Sequence, residues 1–138
     1  MVDKDILWSK ISSMQRHLER IRAKRDVDLA DFVRDIDRQE SILFNLQMAV
    51  QNCIDMAAHI VSEEGVGVAG SANELFYLLE EHQLIVPELT EKMVRAVGFR
   101  NLVVHEYGKV DIEVVFRVCH ENVSDLEEFA KALSGRFC

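Results

Sequence analysis

Four polar side chains of different chemistry lie within eight residues, at Arg100, Asn101, His105 and Tyr107. A guanidinium binds phosphate through parallel hydrogen bonds, and an imidazole exchanges protons near neutral pH. This pair suits cleavage of RNA by its own 2′-hydroxyl. His105 would assist proton transfer, and Arg100 would stabilise the charge that develops around phosphorus. Such a scheme needs no metal ion.

One histidine cannot serve as both acid and base in a single step. A twofold dimer would supply a second copy of the same residues, because the same surface of each subunit meets at the axis. The alternative is structural, with Arg100 in a clasp with a Glu or Asp carboxylate and His105 capping the last turn of its helix. The residues alone leave both interpretations open.

The helix that carries these residues is otherwise apolar. Its side chains three and four positions from Arg100 are Ala96, Val97, Val103 and Val104. A guanidinium among them is costly unless phosphates, carboxylates or amides pair with it. Asn101 and His105 are four residues apart and share a face. Arg100 and His105 are about 140° apart, at about 100° per residue, so the Arg100 side chain has to turn toward the imidazole.

Hydrophobic spacing predicts an all-α fold, an antiparallel bundle of four to five helices in a single domain, residues 1–138. The first helix is predicted from a seam of apolar residues: Leu7, Ile11, Met14, Leu18 and Ile21. After a break at residues 26–28, a long second stretch begins at Leu29 and continues through Ile60. The polar run at residues 34–40 leaves open whether this stretch is one helix or two.

Residues 65–70 match G-x-G-x-x-G, but a helix precedes them and no parallel strands are visible. We therefore interpret them as a loop rather than as a dinucleotide site. Ser71 and Glu74 have the spacing of a capping box, which starts a third helix at Ala72. That helix is predicted to end near His82.

The fourth helix begins at Pro87, carries the Arg100–Tyr107 cluster and is predicted to stop at Gly108. Asp111 is predicted to cap a fifth helix. The inward stripe of that helix comprises Ile112, Phe116, Cys119, Val123, Leu126, Ala130 and Leu133.

Several polar side chains have structural rather than catalytic interpretations. His59 lies four residues after Asp55, which favours a structural hydrogen bond over a metal site. The amides of the second stretch could orient groups of the fourth helix, although buried polar networks also form without any function. These amides are Gln39, Asn45, Gln47 and Asn52.

The net charge of −8 over 138 residues argues against general nucleic-acid binding. Residues 16–25 are locally basic, with five cations against Glu19, and could hold RNA or an acidic partner protein. The three cysteines include no CxxC pair, and Cys53 and Cys119 fall in apolar helical patterns, which indicates buried free thiols in a reducing compartment. With no apolar membrane-spanning run and no leader-like N-terminus, we expect a cytoplasmic protein.

The run Arg-Asn-x-x-x-His-x-Tyr at residues 100–107 resembles the R-x4-6-H motif of the HEPN superfamily, in its HepT-like toxin branch. Residues 39–57 are similar to the second helix of that branch, and residues 98–107 to its fourth. The resemblance covers roughly residues 30–130 in the expected helix order.

The resemblance implies an all-α, homodimeric ribonuclease toxin that cleaves tRNA or mRNA without a metal or other cofactor. Arg100 and His105 correspond to its catalytic pair, and Asn101 to a positioning residue. It also implies an MntA-type minimal nucleotidyltransferase antitoxin that transfers AMP from ATP to Tyr107. Each AMP would add bulk and negative charge two residues from His105. The alternative is a non-catalytic HEPN-type scaffold that associates with a nucleotidyltransferase.

Overall fold

The computed structural model describes all residues, 1–138, and every regular element in it is helical. The seven α-helices are α1 (Lys4–Arg25), α2 (Leu29–Arg34), α3 (Ile36–Glu64), α4 (Ala72–Glu81), α5 (Pro87–His105), α6 (Ile112–Glu121) and α7 (Val123–Phe137). A 3₁₀ turn, Tyr107–Lys109, separates α5 from α6. The predicted all-α fold is confirmed. None of the helices combines the length and apolar character that a membrane span requires.

The second predicted stretch is two helices, α2 and α3, which meet at Asp35. The Asp35 side chain accepts a hydrogen bond from the Arg38 backbone N–H at 3.0 Å and so caps α3. The Gln39 amide donates back to the carbonyls of Phe32 and Val33, at 2.7 and 3.0 Å. These bonds satisfy the groups left open at the junction and fix the kink.

The fifth predicted helix is also divided, and the expectation of one continuous helix is wrong. Asn122 separates α6 from α7, and its side-chain amide donates to Asp125 at 3.2 Å. Asparagine competes for nearby polar groups in this way and interrupts helices. The buried stripe nevertheless continues through Cys119, Val123 and Leu126. That continuity explains why the spacing resembles a single helix.

The predicted helix starts at Ser71 and Asp111 are confirmed. Ser71 Oγ accepts from the Glu74 N–H at 3.2 Å, and the Asp111 carboxylate accepts from the Glu113 N–H at 2.9 Å. The Glu74 carboxylate turns back to the N–H of Gly70, one residue before the usual partner in a capping box. Glu74 therefore also ties down the end of the preceding loop.

The glycine-rich loop joins two helices, and no strand is present to support a dinucleotide site. Gly65 ends α3 in the left-handed conformation, with φ of 60°. Gly67 has φ of 142°, and a Cβ atom there would lie 2.9 Å from a methyl group of Leu78. Both positions need glycine for backbone reasons.

All seven helices contribute to one hydrophobic core, with α3 at its centre. Representative fully buried members are Leu7, Phe32, Ile42, Phe76, Met93, Val115 and Phe129. Helix α1 runs antiparallel along α3, as the Lys10–Asp55 and His17–Asn45 bonds show. Helix α5 packs against the other flank of α3 and carries the polar cluster.

Candidate active site

Arg100 is half-buried near the end of α5 and is held by two amide oxygens. Its Nη1 donates to Oδ1 of Asn101 at 2.9 Å, and its Nη2 donates to Oε1 of Gln51 on α3. None of the ion pairs in the chain involves Arg100. The carboxylate clasp considered from the sequence is therefore not formed. No negative charge offsets that of the guanidinium, and two neutral amide oxygens hold the orientation of the Arg100 side chain.

Gln51 belongs to a longer chain of hydrogen bonds. Its Nε2 donates to Oδ1 of Asp55 at 2.8 Å, and Nζ of Lys10 lies 3.2 Å from Oδ2 of the same carboxylate. The series Lys10–Asp55–Gln51–Arg100 thus crosses from α1 through α3 to α5. We call these four residues the relay.

The amides singled out from the sequence do not orient α5. The Gln39 amide donates a hydrogen bond to a backbone carbonyl of α2. The Asn45 amide forms hydrogen bonds with the His17 ring and the Ser41 carbonyl. The side chain of Gln47 makes no hydrogen bond, and Oδ1 of Asn52 is buried without a partner. The four-residue spacing of Gln51 and Asp55 on one helical face is a sequence signal for the bond between these two side chains, but not for the bond between Gln51 and Arg100.

His105 is the last residue of α5 and is exposed, and its imidazole makes no hydrogen bond within the chain. Both ring nitrogens are therefore accessible, and the imidazole does not cap the helix. The predicted stop at Gly108 is wrong, because the backbone leaves helical geometry at Glu106, with φ of −138° and ψ of 47°. Gly108 lies instead inside the 3₁₀ turn.

Tyr107 opens the 3₁₀ turn, two residues after His105, and is 52% exposed. Its hydroxyl makes no hydrogen bond within the chain. A single turn with backbone bonds of 2.8 and 3.1 Å is all that connects α5 to α6 here. An enzyme that modifies a tyrosine hydroxyl can reach this side chain without unfolding the bundle.

The basic segment, residues 16–25, divides into two groups. Arg22 pairs with Glu127 of α7, and Arg25 Nη1 donates to the Cys119 carbonyl at 2.8 Å. These two cations fasten α1 to the bundle. The side chains of Arg16, Arg20 and Lys24 make no hydrogen bond or ion pair. Only this second group is available to a polyanion.

His59 forms a structural hydrogen bond, but not with Asp55 as expected. Its Nε2 accepts from the backbone N–H of Asp3 at 2.9 Å, which anchors the start of α1. Asp55 is instead engaged in the relay. No three His, Cys, Asp or Glu side chains cluster as metal ligands do.

A cavity of about 160 Å³ lies on a different flank of α5. Its walls include Leu46, Val50, Ala96, Phe99 and Leu126. Ala96 precedes His105 by nine residues, so the two side chains point to opposite sides of α5. The polar cluster is therefore an open surface site, separate from this cavity.

The family model for the ribonuclease HepT-like family matches residues 14–133. The chain is 33% identical over 131 residues to the mRNA nuclease HepT of Shewanella oneidensis, covering 95% of this chain and 98% of that protein. It is 29% identical over 111 residues to the tRNA nuclease HepT of Aphanizomenon flos-aquae, covering 80% and 76%.

The fold is also similar to that of a tri-AMPylated HEPN toxin from Shewanella oneidensis, solved in complex with an MNT antitoxin. The TM-score is 0.90 at 30% identity, over 97% of this chain and 100% of that one. The resemblance found in the sequence is thus confirmed by the family model, by sequence similarity along nearly the whole chain, and by the fold. This chain belongs to the HepT-like ribonuclease family.

Proposed function

We propose that this chain is a metal-independent endoribonuclease toxin that cleaves RNA with Arg100 and His105. The observation that carries the proposal is the state of Arg100. Its guanidinium is held by amide oxygens and has no carboxylate to neutralise it, so its charge is available to a phosphate. An exposed imidazole five residues later completes an acid–base pair for phosphodiester chemistry.

In the proposed reaction His105 accepts the proton of a ribose 2′-hydroxyl. The 2′-oxygen then attacks the neighbouring phosphorus, and the bond from phosphorus to the 5′-oxygen breaks. The products are a 2′,3′-cyclic phosphate and a 5′-hydroxyl, whose proton comes from a second imidazole. Arg100 stabilises the extra negative charge on the phosphoryl oxygens in the transition state. Asn101 positions the guanidinium by accepting its Nη1 hydrogen bond.

The second imidazole is the His105 of another copy in a homodimer. Two exposed apolar side chains near the site support this arrangement. Val104, next to His105, is 42% exposed, and Phe44, two turns before Gln51 on the same face of α3, is 56% exposed. Exposed apolar groups beside a polar site are typical of an interface. A twofold axis near them would bring two Arg100–His105 pairs together.

The proposed protein partner is an MntA-type minimal nucleotidyltransferase antitoxin. The solved HEPN toxin relative carries AMP groups and is bound to an MNT antitoxin. In this chain the proposed AMP acceptor is Tyr107, whose hydroxyl is exposed beside His105. A nucleotide on that hydroxyl would block the site and repel RNA phosphates.

The proposed substrate is tRNA or mRNA, the two classes in the names of the relatives. Residues 1–138 would act as one catalytic domain. Arg16, Arg20 and Lys24 supply local positive charge on an otherwise acidic protein. Because salt screens charges more than about 10 Å apart, phosphate attraction to such a group is determined mainly by the charges near it.

The test is to express Arg100→Ala and His105→Ala and to assay growth and RNA cleavage in EDTA. We expect both variants to fold and to lose toxicity and cleavage. Arg95→Ala and His120→Ala are matched controls, because both side chains are exposed and neither lies in the Arg100–Tyr107 cluster. If the unmodified chain neither slows growth nor cleaves RNA, the non-catalytic scaffold is the better description.

A further inference from the structure

We infer that Gln51 is a positioning residue for the reaction, which holds the Arg100 guanidinium in place without neutralising it. The inference rests on the proposed ribonuclease function. It adds a residue on a different helix, 49 positions away in the sequence, to the machinery of α5. Three features of the relay support it: the forced direction of the amide, the absence of charge on Gln51, and the anchoring of Asp55.

The Gln51 amide can satisfy both neighbours in only one orientation. Arg100 can only donate hydrogen bonds, so it requires the carbonyl oxygen of the amide. An ionised Asp55 can only accept, so it requires the NH₂ group, which lies 2.8 Å away. If the amide were flipped, its NH₂ group would meet the N–H groups of Arg100, and its oxygen would meet the carboxylate of Asp55. Arg100 and Asp55 therefore favour the same orientation, with Oε1 of Gln51 directed at the guanidinium.

The neutral character of Gln51 is as important as its direction. A carboxylate at this position would form an ion pair with Arg100 and compete with the substrate phosphate for the same donors. The amide oxygen accepts one hydrogen bond and leaves the charge of the guanidinium uncompensated. Asn101 on the other side is also an amide, so both partners of Arg100 are neutral.

Lys10 completes the arrangement by balancing Asp55. Its Nζ lies 3.2 Å from the second carboxylate oxygen, and both side chains are about one-third exposed, at 38% and 35%. Only Gln51 lies between Asp55 and Arg100 in the relay. Without Lys10, the negative charge of Asp55 would have no partner and would offset part of the positive charge of Arg100. The negative charge of the relay thus lies on Asp55, which does not contact the catalytic guanidinium, and the Lys10 ammonium neutralises it.

An isoelectric exchange tests the inference. The double variant Gln51→Glu/Asp55→Asn keeps the net charge, and the amide that it introduces at position 55 can still donate to residue 51 and accept from Lys10. It moves the negative charge next to Arg100. We expect the thermal unfolding midpoint to stay at the wild-type value, while kcat for RNA cleavage falls at least about tenfold. A purely structural hydrogen bond would leave kcat unchanged, and that result would overturn the inference.

A second pair of variants covers the case in which the double variant does not fold. Gln51→Leu removes the acceptor for Arg100, and we expect kcat to fall at least about tenfold because a misplaced catalytic group loses its alignment. Gln47→Leu is the matched control, one turn earlier on α3 and without a hydrogen bond. Equal kcat values for these two variants would overturn the inference.

These outcomes are separable from failure of the proposed function. The wild-type chain and Arg100→Ala are assayed first under the same conditions. If the wild type does not cleave RNA, or if Arg100→Ala cleaves it normally, the proposed function itself fails. If Arg100 is essential and the residue 51 variants behave as their controls do, only the role of Gln51 is refuted.

Discussion

Nη1 of Arg100 lies 2.9 Å from Oδ1 of Asn101, its immediate neighbour on α5. Adjacent residues on a helix point about 100° apart, so both side chains bend toward each other to make this bond. Asn101 also shares a face with His105, four residues later. The Arg100–Asn101 bond therefore brings the guanidinium toward the side of the helix that carries the imidazole.

This bond predicts different effects for two substitutions of Asn101. Asn101→Ala removes one of two acceptors, and we expect RNA cleavage to fall about tenfold, less than for Arg100→Ala. Asn101→Asp keeps an acceptor but adds a charge that neutralises the guanidinium, so a larger loss is expected. The measurement is kcat/KM on one RNA substrate. Wild-type activity in Asn101→Asp would contradict the need for an uncompensated Arg100.

Tyr107→Phe is expected to escape neutralisation by a nucleotidyltransferase partner, because it lacks the hydroxyl that would receive AMP. Mass spectrometry after incubation with ATP and the partner should show added AMP on the wild type and none on the variant. Tyr77→Phe is the control, since Tyr77 is the only other tyrosine and is 39% exposed. Full neutralisation of Tyr107→Phe without AMP would indicate that the partner acts by simple occlusion.

The cysteines are expected to differ sharply in reactivity. Burial raises the pKa of the Cys119 thiol to about 11, and it raises the pKa of the fully buried Cys53 thiol further. Because the thiolate is the nucleophile, iodoacetamide at neutral pH should label only the exposed Cys138 in the folded protein. All three should react after denaturation. Native labelling that persists in Cys138→Ser would contradict this burial.

The same raised pKa values predict the direction of alkaline unfolding. The ordinary thiol pKa is 9.0, so an unfolded chain ionises its cysteines at a lower pH than the folded chain does. The contribution of the buried, neutral Cys119 thiol to the free energy of unfolding is fully present below pH 9.0, and it is lost as the pH rises toward the folded-state pKa of about 11. We expect the urea midpoint to decline over this range, and to decline less in Cys119→Ala than in wild type.

Asp35 should contribute to stability with the opposite pH dependence. The Arg38 backbone N–H, helped by the Arg38 side chain, holds the pKa of this carboxyl below its ordinary value of 3.8. Because the pKa is lowered, the contribution of Asp35 to the free energy of unfolding is fully present above its pKa in the unfolded chain. It is lost as the pH falls through its pKa in the folded protein. Asp35→Asn should therefore flatten the acid limb of the unfolding curve. Asp37→Asn, an exposed neighbour, is the control.

Arg25 and Arg20 should differ in their effects on stability. Arg25→Ala leaves the Cys119 carbonyl without its donor, and we expect a loss of about 1 kcal/mol in the free energy of unfolding. Arg20→Ala removes an exposed side chain without a partner, so its effect should stay within about 0.5 kcal/mol. Urea denaturation measures both. Equal losses would show that the basic segment is not divided as described.

The helical fold was predictable because a period of about 3.6 residues in the apolar positions is a local signal. The break at Asn122 was not predictable by that signal, since the buried stripe passes through it without a change of spacing. The position of the second break, at Asp35, lay within a polar run that the sequence had marked as ambiguous. Local patterns therefore located the helices more reliably than the points at which long helices divide.

The candidate catalytic residues were also recognisable in the sequence, but their partners were not. Gln47 and Gln51 are both amides on α3, one turn apart, and nothing in their local sequence decides which one meets Arg100. The register between α3 and α5 decides it, and that register depends on side-chain packing along the whole interface. Tertiary contacts of this kind explain why Gln51 emerged only from the structure.

Four of the seven α-helices begin with an aspartate whose carboxylate accepts backbone N–H groups, at Asp3, Asp28, Asp35 and Asp111. Each of these charges sits against the positive end of a helix dipole, which screens part of it from the surroundings. Four of the negative charges of the chain thus cap helices and stabilise the fold. Ionic strength should then act on the proposed RNA binding through Arg100 and the unpaired cations of α1 more than through the overall charge of the molecule.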